Sequence, residues 1–183
     1  MLNREAAVRS AESANETLER WNAAEAKAAA REVLPCCGSQ AWAEALAARK
    51  PLAGADEVFA ASDAIWQNLG EDDWRQAFDS HPRIGQRHAR SATGESLAWS
   101  GDEQRAAMTQ EQAAREALAE ANREYEARFG RIFIICATGK SAEEIVRRCR
   151  QRMSNDAATE MLESAEQQRQ ITQLRLRRWL GVN

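Results

Sequence analysis

Hydrophobic residues in this sequence recur mostly three and four positions apart, which is the spacing of amphipathic helices. Trp42 and Leu46 lie four apart behind Ser39, a residue type that favours a helix N-cap. The stretch before Gly70 shows the same spacing over six apolar residues, which are Val58, Phe59, Ala61, Ile65, Trp66 and Leu69. The pattern predicts a chain built from helices.

Capping residues, prolines and glycines predict where these helices begin and end. Asn22 and Pro35 bound a first core helix over about residues 23–34. Glu71 to Phe78 forms a short helix, and Ser100 opens a long polar helix that closes before Gly130.

Two more helices are predicted in the C-terminal third. Ser141 and Glu144 have the spacing of a capping box and open one of them. Asn155 is expected to cap the last helix, which Gly181 ends.

Ile132 to Ala137 is the one compact apolar run with β-like composition. A single strand would have no partner, so the run predicts a buried extended connector or an irregular helix start. The fold class that follows is all-α, a single-domain bundle of about seven to eight helices without a sheet. Residues 1–17 form an N-terminal arm or an extra helix, and residues 18–183 form the helical domain.

Composition narrows the function classes. The net charge is -3, with 25 basic and 28 acidic residues in mixed order, so no basic surface favours nucleic acid. No apolar run is long enough for a membrane span, and the N-terminus lacks the apolar core of a signal peptide. We expect a soluble, cytoplasmic protein. The cysteines, Cys36, Cys37, Cys136 and Cys149, lack C-x-x-C spacing and are expected to be reduced structural thiols.

The stretch from Ser80 to Gln104 holds both histidines and is rich in loop-forming residues. His81 precedes Pro82, which favours an extended backbone and suits a fixed ring. From the residues alone, a functional and a purely structural role for His81 are equally supported. His88 fits a surface loop, and two histidines without matched cysteines or carboxylates make a weak metal-ligand set.

Three other features allow more than one interpretation. Glu103 fits a capping box with Ser100, although a helix start can also serve a site in front of it. Thr138 to Ser141 resembles the end of a phosphate-binding loop, but the first glycine of that motif would fall on Ile134. Arg175 lies beside other arginines in the last helix, and periodicity does not separate it from a solvated residue.

Four motifs together, in this order, resemble the 2-oxo-4-hydroxy-4-carboxy-5-ureidoimidazoline (OHCU) decarboxylases of urate breakdown. They are HPRIG from His81, WSGDEQ from Trp99, FGRIFIICATGKS from Phe129, and LRL from Leu174. The resemblance covers about Leu18 to Leu180. It implies an all-helical enzyme without a cofactor and without a metal, acting on a small molecule, and it allows a homodimer.

The resemblance also implies roles for individual residues. His81, Glu103 and Arg175 would be catalytic. Substrate contacts would come from Pro82, Ser100 and Gln104, and from the main chain of Phe133, Ile134, Ile135, Cys136 and Ala137. The implied reaction removes CO2 from a carbon that carries a carboxylate and a hydroxyl, then adds a proton on one face to give (S)-allantoin.

Two rival hypotheses remain open from the sequence. The protein could be a helical binding or scaffold module whose loop recognises a partner. It could also be an enzyme of the same fold that acts on a different ureido or imidazolinone acid.

Overall fold

The computed structural model describes residues 14–82 and 112–182, with side chains from Glu116 onward in the second range. These residues form helices and no strand. The helices are α1 (14–23), α2 (Ala26–Cys37), α3 (Gln40–Ala47), α4 (Ala55–Gln67), α5 (Glu71–Asp79), α6 (Gln112–Phe129), α7 (Ala142–Arg152) and α8 (Ala157–Leu180). The all-α prediction is confirmed.

The core of the described residues has two parts. The larger part lies between α2, α3, α4 and α8, and α5 also packs on α8. It is centred on large buried side chains such as Trp21, Trp42 and Phe78. The smaller part lies between α6 and α7, around Tyr125 and Ile145.

The apolar run after α6 joins the two parts of the core. Residues 132–137 are neither helix nor strand, as an extended connector requires. Ile134 and Cys136 pack into the larger part, whereas Phe133 and Ile135 pack into the smaller part. This alternation is what an extended backbone produces, because successive side chains point to opposite sides. The prediction of a buried connector is confirmed.

Several predicted helix ends are confirmed. The hydroxyl of Ser39 accepts from the Trp42 amide at 3.2 Å, and the hydroxyl of Ser141 accepts from the Glu144 amide at 3.2 Å. The last helix ends at Gly181, which has a φ of 71°. Helix α6 ends before Gly130, while its predicted start at Ser100 lies outside the described residues.

Two predicted N-caps were wrong. Asn22 lies inside α1, and its side chain bonds the backbone of Leu52 through both of its polar atoms. Asp156, not Asn155, caps α8 by accepting from the Thr159 amide at 2.8 Å. Asn155 donates instead to the buried Glu160 carboxylate. In each case a contact outside the cap position takes the amide side chain away from the predicted cap.

The predicted end of the first core helix was also wrong. Helix α2 continues through Pro35 to Cys37 and ends at Gly38, whose φ is 90°. A proline lacks one backbone donor, but within the last turn it interrupts little of the helix that follows. The Gly38 amide donates to the Leu34 carbonyl at 2.7 Å and closes the helix.

The four cysteines are buried and form no disulfide, as predicted. Burial is the main cause that raises the pKa of Cys37 and of Cys149 to about 12. Both therefore remain protonated at neutral pH. In the described ranges, no helix combines the length and the apolar character that crossing a membrane would require.

Candidate active site

A polar stripe runs along the buried face of α8. Its members recur about every turn of the helix, and each is at most 3% exposed. They are Glu160, Ser164, Gln168, Thr172 and Arg175. Buried polar groups require hydrogen-bond partners, and each half of this stripe has its own set.

His81 meets the C-terminal half of the stripe. The residue follows α5 and is half-buried, and its amide donates to the Phe78 carbonyl at 3.0 Å. Its Nε2 lies 2.7 Å from Oε1 of Gln168, and its Nδ1 lies 3.4 Å from Nη2 of Arg175. Both ring nitrogens therefore face the same helix.

The C-terminal turn of α2 also contacts this half of the stripe. Pro35 and Cys37 belong to the last turn, where carbonyl groups have no partner within the helix. The Pro35 carbonyl accepts from Arg175 Nη1 at 3.2 Å, and the Cys37 carbonyl accepts from Gln168 Nε2 at 3.1 Å. The C-terminal end of a helix carries a partial negative charge, which stabilises the fully buried guanidinium of Arg175.

The surroundings of His81 keep its ring neutral. Burial of the ring and then the nearby charge of Arg175 lower its pKa to about 3, although the hydrogen bond to Gln168 acts in the opposite direction. At neutral pH the imidazole is uncharged. It therefore has one nitrogen that can accept a proton.

The connector from Phe133 to Ala137 is held by hydrogen bonds that it makes with three side chains. The Cys136 amide donates to Gln167 Oε1 at 2.9 Å, and the Cys136 carbonyl accepts from Lys140 Nζ at 2.8 Å. The Ile134 carbonyl accepts from Arg152 Nη1 at 2.8 Å. The Cys136 amide therefore already has a hydrogen-bond acceptor within the protein.

Arg152 belongs to a buried network at the N-terminal half of the stripe. Its Nε lies 2.9 Å from a Glu160 oxygen, and Tyr125 donates its hydroxyl to the same carboxylate. Burial raises the pKa of Glu160, but hydrogen bonds from Arg152 and Tyr125 outweigh it and hold that pKa below its usual range. Burial, followed by the hydrogen bond to Glu160, raises the pKa of Tyr125 to about 12. The network therefore contains an ionised pair and a protonated phenol.

The structure brings together some of the predicted site residues. His81 and Arg175 are neighbours, and the sequence alternative of a solvated Arg175 was wrong, because the side chain is fully buried. Pro82 follows His81 directly and is buried, as are all five residues from Phe133 to Ala137. Ser100, Glu103, Gln104 and His88 lie outside the described residues.

Sequence reasoning missed Gln168 and the Arg152–Glu160 pair. The only available signal was polar residues four apart along the last helix, and that signal is the same for a solvated face. Among residues 14–82 and 112–182, no group of three or more His, Cys, Asp or Glu side chains is arranged to hold a metal.

A neutral histidine beside a buried arginine is an arrangement that can bind an anion and accept a proton. Comparison with known proteins identifies the family. The model of the OHCU decarboxylase family matches residues 22–177. The chain belongs to this family of carboxy-lyases.

A protein relative and two solved structures are similar to the chain. The uric acid degradation bifunctional protein TTL of Arabidopsis thaliana is 34% identical over 142 residues, which is 77% of this chain and 44% of that protein. This chain therefore spans less than half the length of that relative.

A crystal structure of OHCU decarboxylase in the presence of (S)-allantoin is 33% identical, with a TM-score of 0.69 over 79% of this chain and 94% of that chain. A structure of (S)-allantoin synthase shares the fold, with 16% identity and a TM-score of 0.65 over 91% of this chain and 53% of that chain.

Proposed function

We propose that this protein decarboxylates OHCU to (S)-allantoin, with His81 handling the proton and Arg175 holding the substrate. The contact that carries the proposal is the one between His81 Nδ1 and Arg175 Nη2. In the substrate, the carboxylate and the hydroxyl share one carbon. A guanidinium that pairs with one oxygen of that carbon brings the other oxygen next to the imidazole.

His81 is suited to accept a proton because its ring is neutral at physiological pH. The bond to the carboxylate breaks and CO2 leaves, and the deprotonated oxygen becomes a carbonyl when a proton is added to a ring carbon. The electron pair left behind passes into the substrate ring and its adjacent carbonyl. Since the substrate supplies this electron sink, the reaction as proposed needs no organic cofactor and no metal.

Arg175 would stabilise negative charge on the substrate oxygens. Its planar guanidinium is held by the Pro35 carbonyl. It is therefore already in place before the reaction and does not have to be ordered during it. An interaction that strengthens as the oxyanion develops lowers the barrier, whereas one of equal strength throughout lowers KM alone.

The remaining site residues complete the proposal. Glu103 orients the hydroxyl or the imidazole, and Pro82, Ser100 and Gln104 contact the substrate. Main-chain groups of residues 133–137 also bind it, at positions other than the amide that Gln167 already engages. Four buried cysteines that form no disulfide support a reducing compartment, and we place the enzyme in the cytoplasm. The family resemblance allows a homodimer.

A coupled assay tests the proposal. Urate oxidase and hydroxyisourate hydrolase generate the substrate, and its disappearance is followed with and without this protein. We expect acceleration, and we expect His81→Asn to lower kcat by about 10²- to 10⁴-fold. His88→Asn is the matched control and should keep near-full activity.

Folded protein that gives no acceleration would favour the scaffold hypothesis. Turnover of another ureido acid in place of OHCU would favour the related enzyme. Near-full activity of His81→Asn would show that the histidine assignment is wrong.

A further inference from the structure

Gln168 is the described side chain that hydrogen-bonds His81 Nε2, and its own orientation is fixed. The amide is fully buried, and Nε2 of Gln168 lies 3.1 Å from the Cys37 carbonyl and 3.2 Å from Thr172 Oγ1. A carbonyl oxygen can only accept. Reversing the amide would place the Gln168 oxygen next to the Cys37 carbonyl oxygen, and two acceptors cannot form a hydrogen bond. Only the orientation with Nε2 toward Cys37 is therefore satisfied.

This orientation decides the state of His81. Gln168 Oε1 faces His81 Nε2 at 2.7 Å, and an amide oxygen can only accept. His81 Nε2 must therefore carry the hydrogen. The other nitrogen, Nδ1, faces an Arg175 N–H group, which can only donate. Both neighbours select the same tautomer.

We propose that Gln168 is a positioning residue, which holds His81 as the Nε2–H tautomer and makes Nδ1 the atom that exchanges a proton with the substrate. Gln168 is tied to the last turn of α2, and His81 follows α5, so the contact also fixes the ring relative to two helices. The distance of 3.4 Å between Nδ1 and Arg175 is long for a hydrogen bond. A substrate hydroxyl can compete for that lone pair.

The catalytic part of this inference rests on the proposed function, and it gives an order of events. The hydroxyl proton passes to Nδ1, while Gln168 stabilises the resulting imidazolium through Nε2–H. The bond to the carboxylate then breaks, CO2 leaves, and the electron pair of the broken bond enters the ring. Nδ1 returns the proton to carbon. The one further proton that the net reaction consumes comes from water. His81 acts first as a base and then as an acid.

The tautomer can be measured without any turnover. The chain has two histidines, so ring nitrogen NMR of the folded protein, with His88→Asn for assignment, resolves His81. At pH 7 we expect a protonated Nε2 and an unprotonated Nδ1. A predominant Nδ1–H form, an even mixture or a charged ring would overturn the inference, whether or not the protein decarboxylates OHCU.

A substitution tests the consequence for catalysis. Gln168→Met keeps the size of the side chain but removes the acceptor, so both tautomers should become populated and kcat should fall about 10-fold or more, with KM changed little. Gln170→Met is the matched control, because Gln170 lies on the same helix and donates to Glu166 instead.

The two readouts separate the possible failures. Wild-type protein with the expected tautomer but no decarboxylation would refute the proposed function alone. Active Gln168→Met protein with an unchanged tautomer would refute the positioning role. If the variant does not fold, the tautomer measured in the wild-type protein still tests the inference.

Discussion

Gly38 lies directly against Ser80, so that a Cβ added at Gly38 would come within 2.1 Å of the Ser80 hydroxyl oxygen and 2.5 Å of its Cβ. Gly38 ends α2, whose last turn holds Arg175 and Gln168, and Ser80 immediately precedes His81. This close approach brings the histidine to the buried arginine.

The first prediction follows from this contact. Gly38→Ala combines a left-handed backbone with a steric clash, and we expect it to lower the free energy of unfolding by about 2–5 kcal/mol. Gly139→Ala is the control, because Gly139 also has a positive φ, of 76°, but has no atom within 4 Å of its added Cβ. It should cost about 1–2 kcal/mol. Equal losses in denaturant titrations would show that the contact contributes nothing.

A second prediction concerns stability and pH. The pKa of His81 is about 3 in the folded protein, whereas the ordinary value for an unfolded chain is 6.5, so between these values the unfolded chain binds the extra proton. Stability is complete above about pH 6.5 and is lost as pH falls toward 3. We expect His81→Asn to lose less stability than wild type over this window. The same pH dependence in both proteins would contradict the lowered pKa, and His88→Asn controls for the loss of a histidine.

The third prediction separates Arg175 from its neighbours. If Arg175 holds the substrate as proposed, Arg175→Ala removes charged hydrogen bonds to it, and KM for OHCU should rise about 10- to 100-fold, provided that the contact is equally strong throughout the reaction. Arg178→Ala alters an exposed arginine on the same helix and should leave the kinetics unchanged. Steady-state kinetics of the coupled reaction measure both variants. An unchanged KM and kcat in Arg175→Ala would exclude a substrate contact.

The fourth prediction addresses the buried ion pair. Glu160→Gln leaves the buried Arg152 charged but without its carboxylate partner. We expect a loss of about 3–5 kcal/mol in the free energy of unfolding. Glu120→Gln breaks an exposed pair with Arg123 and should change stability by about 0.5 kcal/mol or less. Because Arg152 also binds the Ile134 carbonyl, the Glu160 variant should have reduced activity as well. Melting curves that match those of the control variant would refute this role.

Much of the fold was predictable because its causes are local. The caps at Ser39 and Ser141 depend on a hydroxyl that reaches an amide three residues ahead, and the end of α8 depends on a glycine. The connector at residues 132–137 was predictable because one β-like run has no second strand to pair with. Where a side chain had a distant partner, as Asn22 has in Leu52, the local prediction was wrong.

The candidate site was likewise predictable only in part. The sequence alone supplied motifs that contain His81, Arg175 and the connector, because a family resemblance depends only on which residues follow one another in the chain. Only the tertiary structure decided which polar residues of the last helix are buried. Gln168 and Arg175 share a face with Thr172, while Arg178 faces solvent, and helical spacing alone allows either face to point inward. The reason is physical, since burial of that face depends on the end of α2 and on His81, which packing brings from distant parts of the chain.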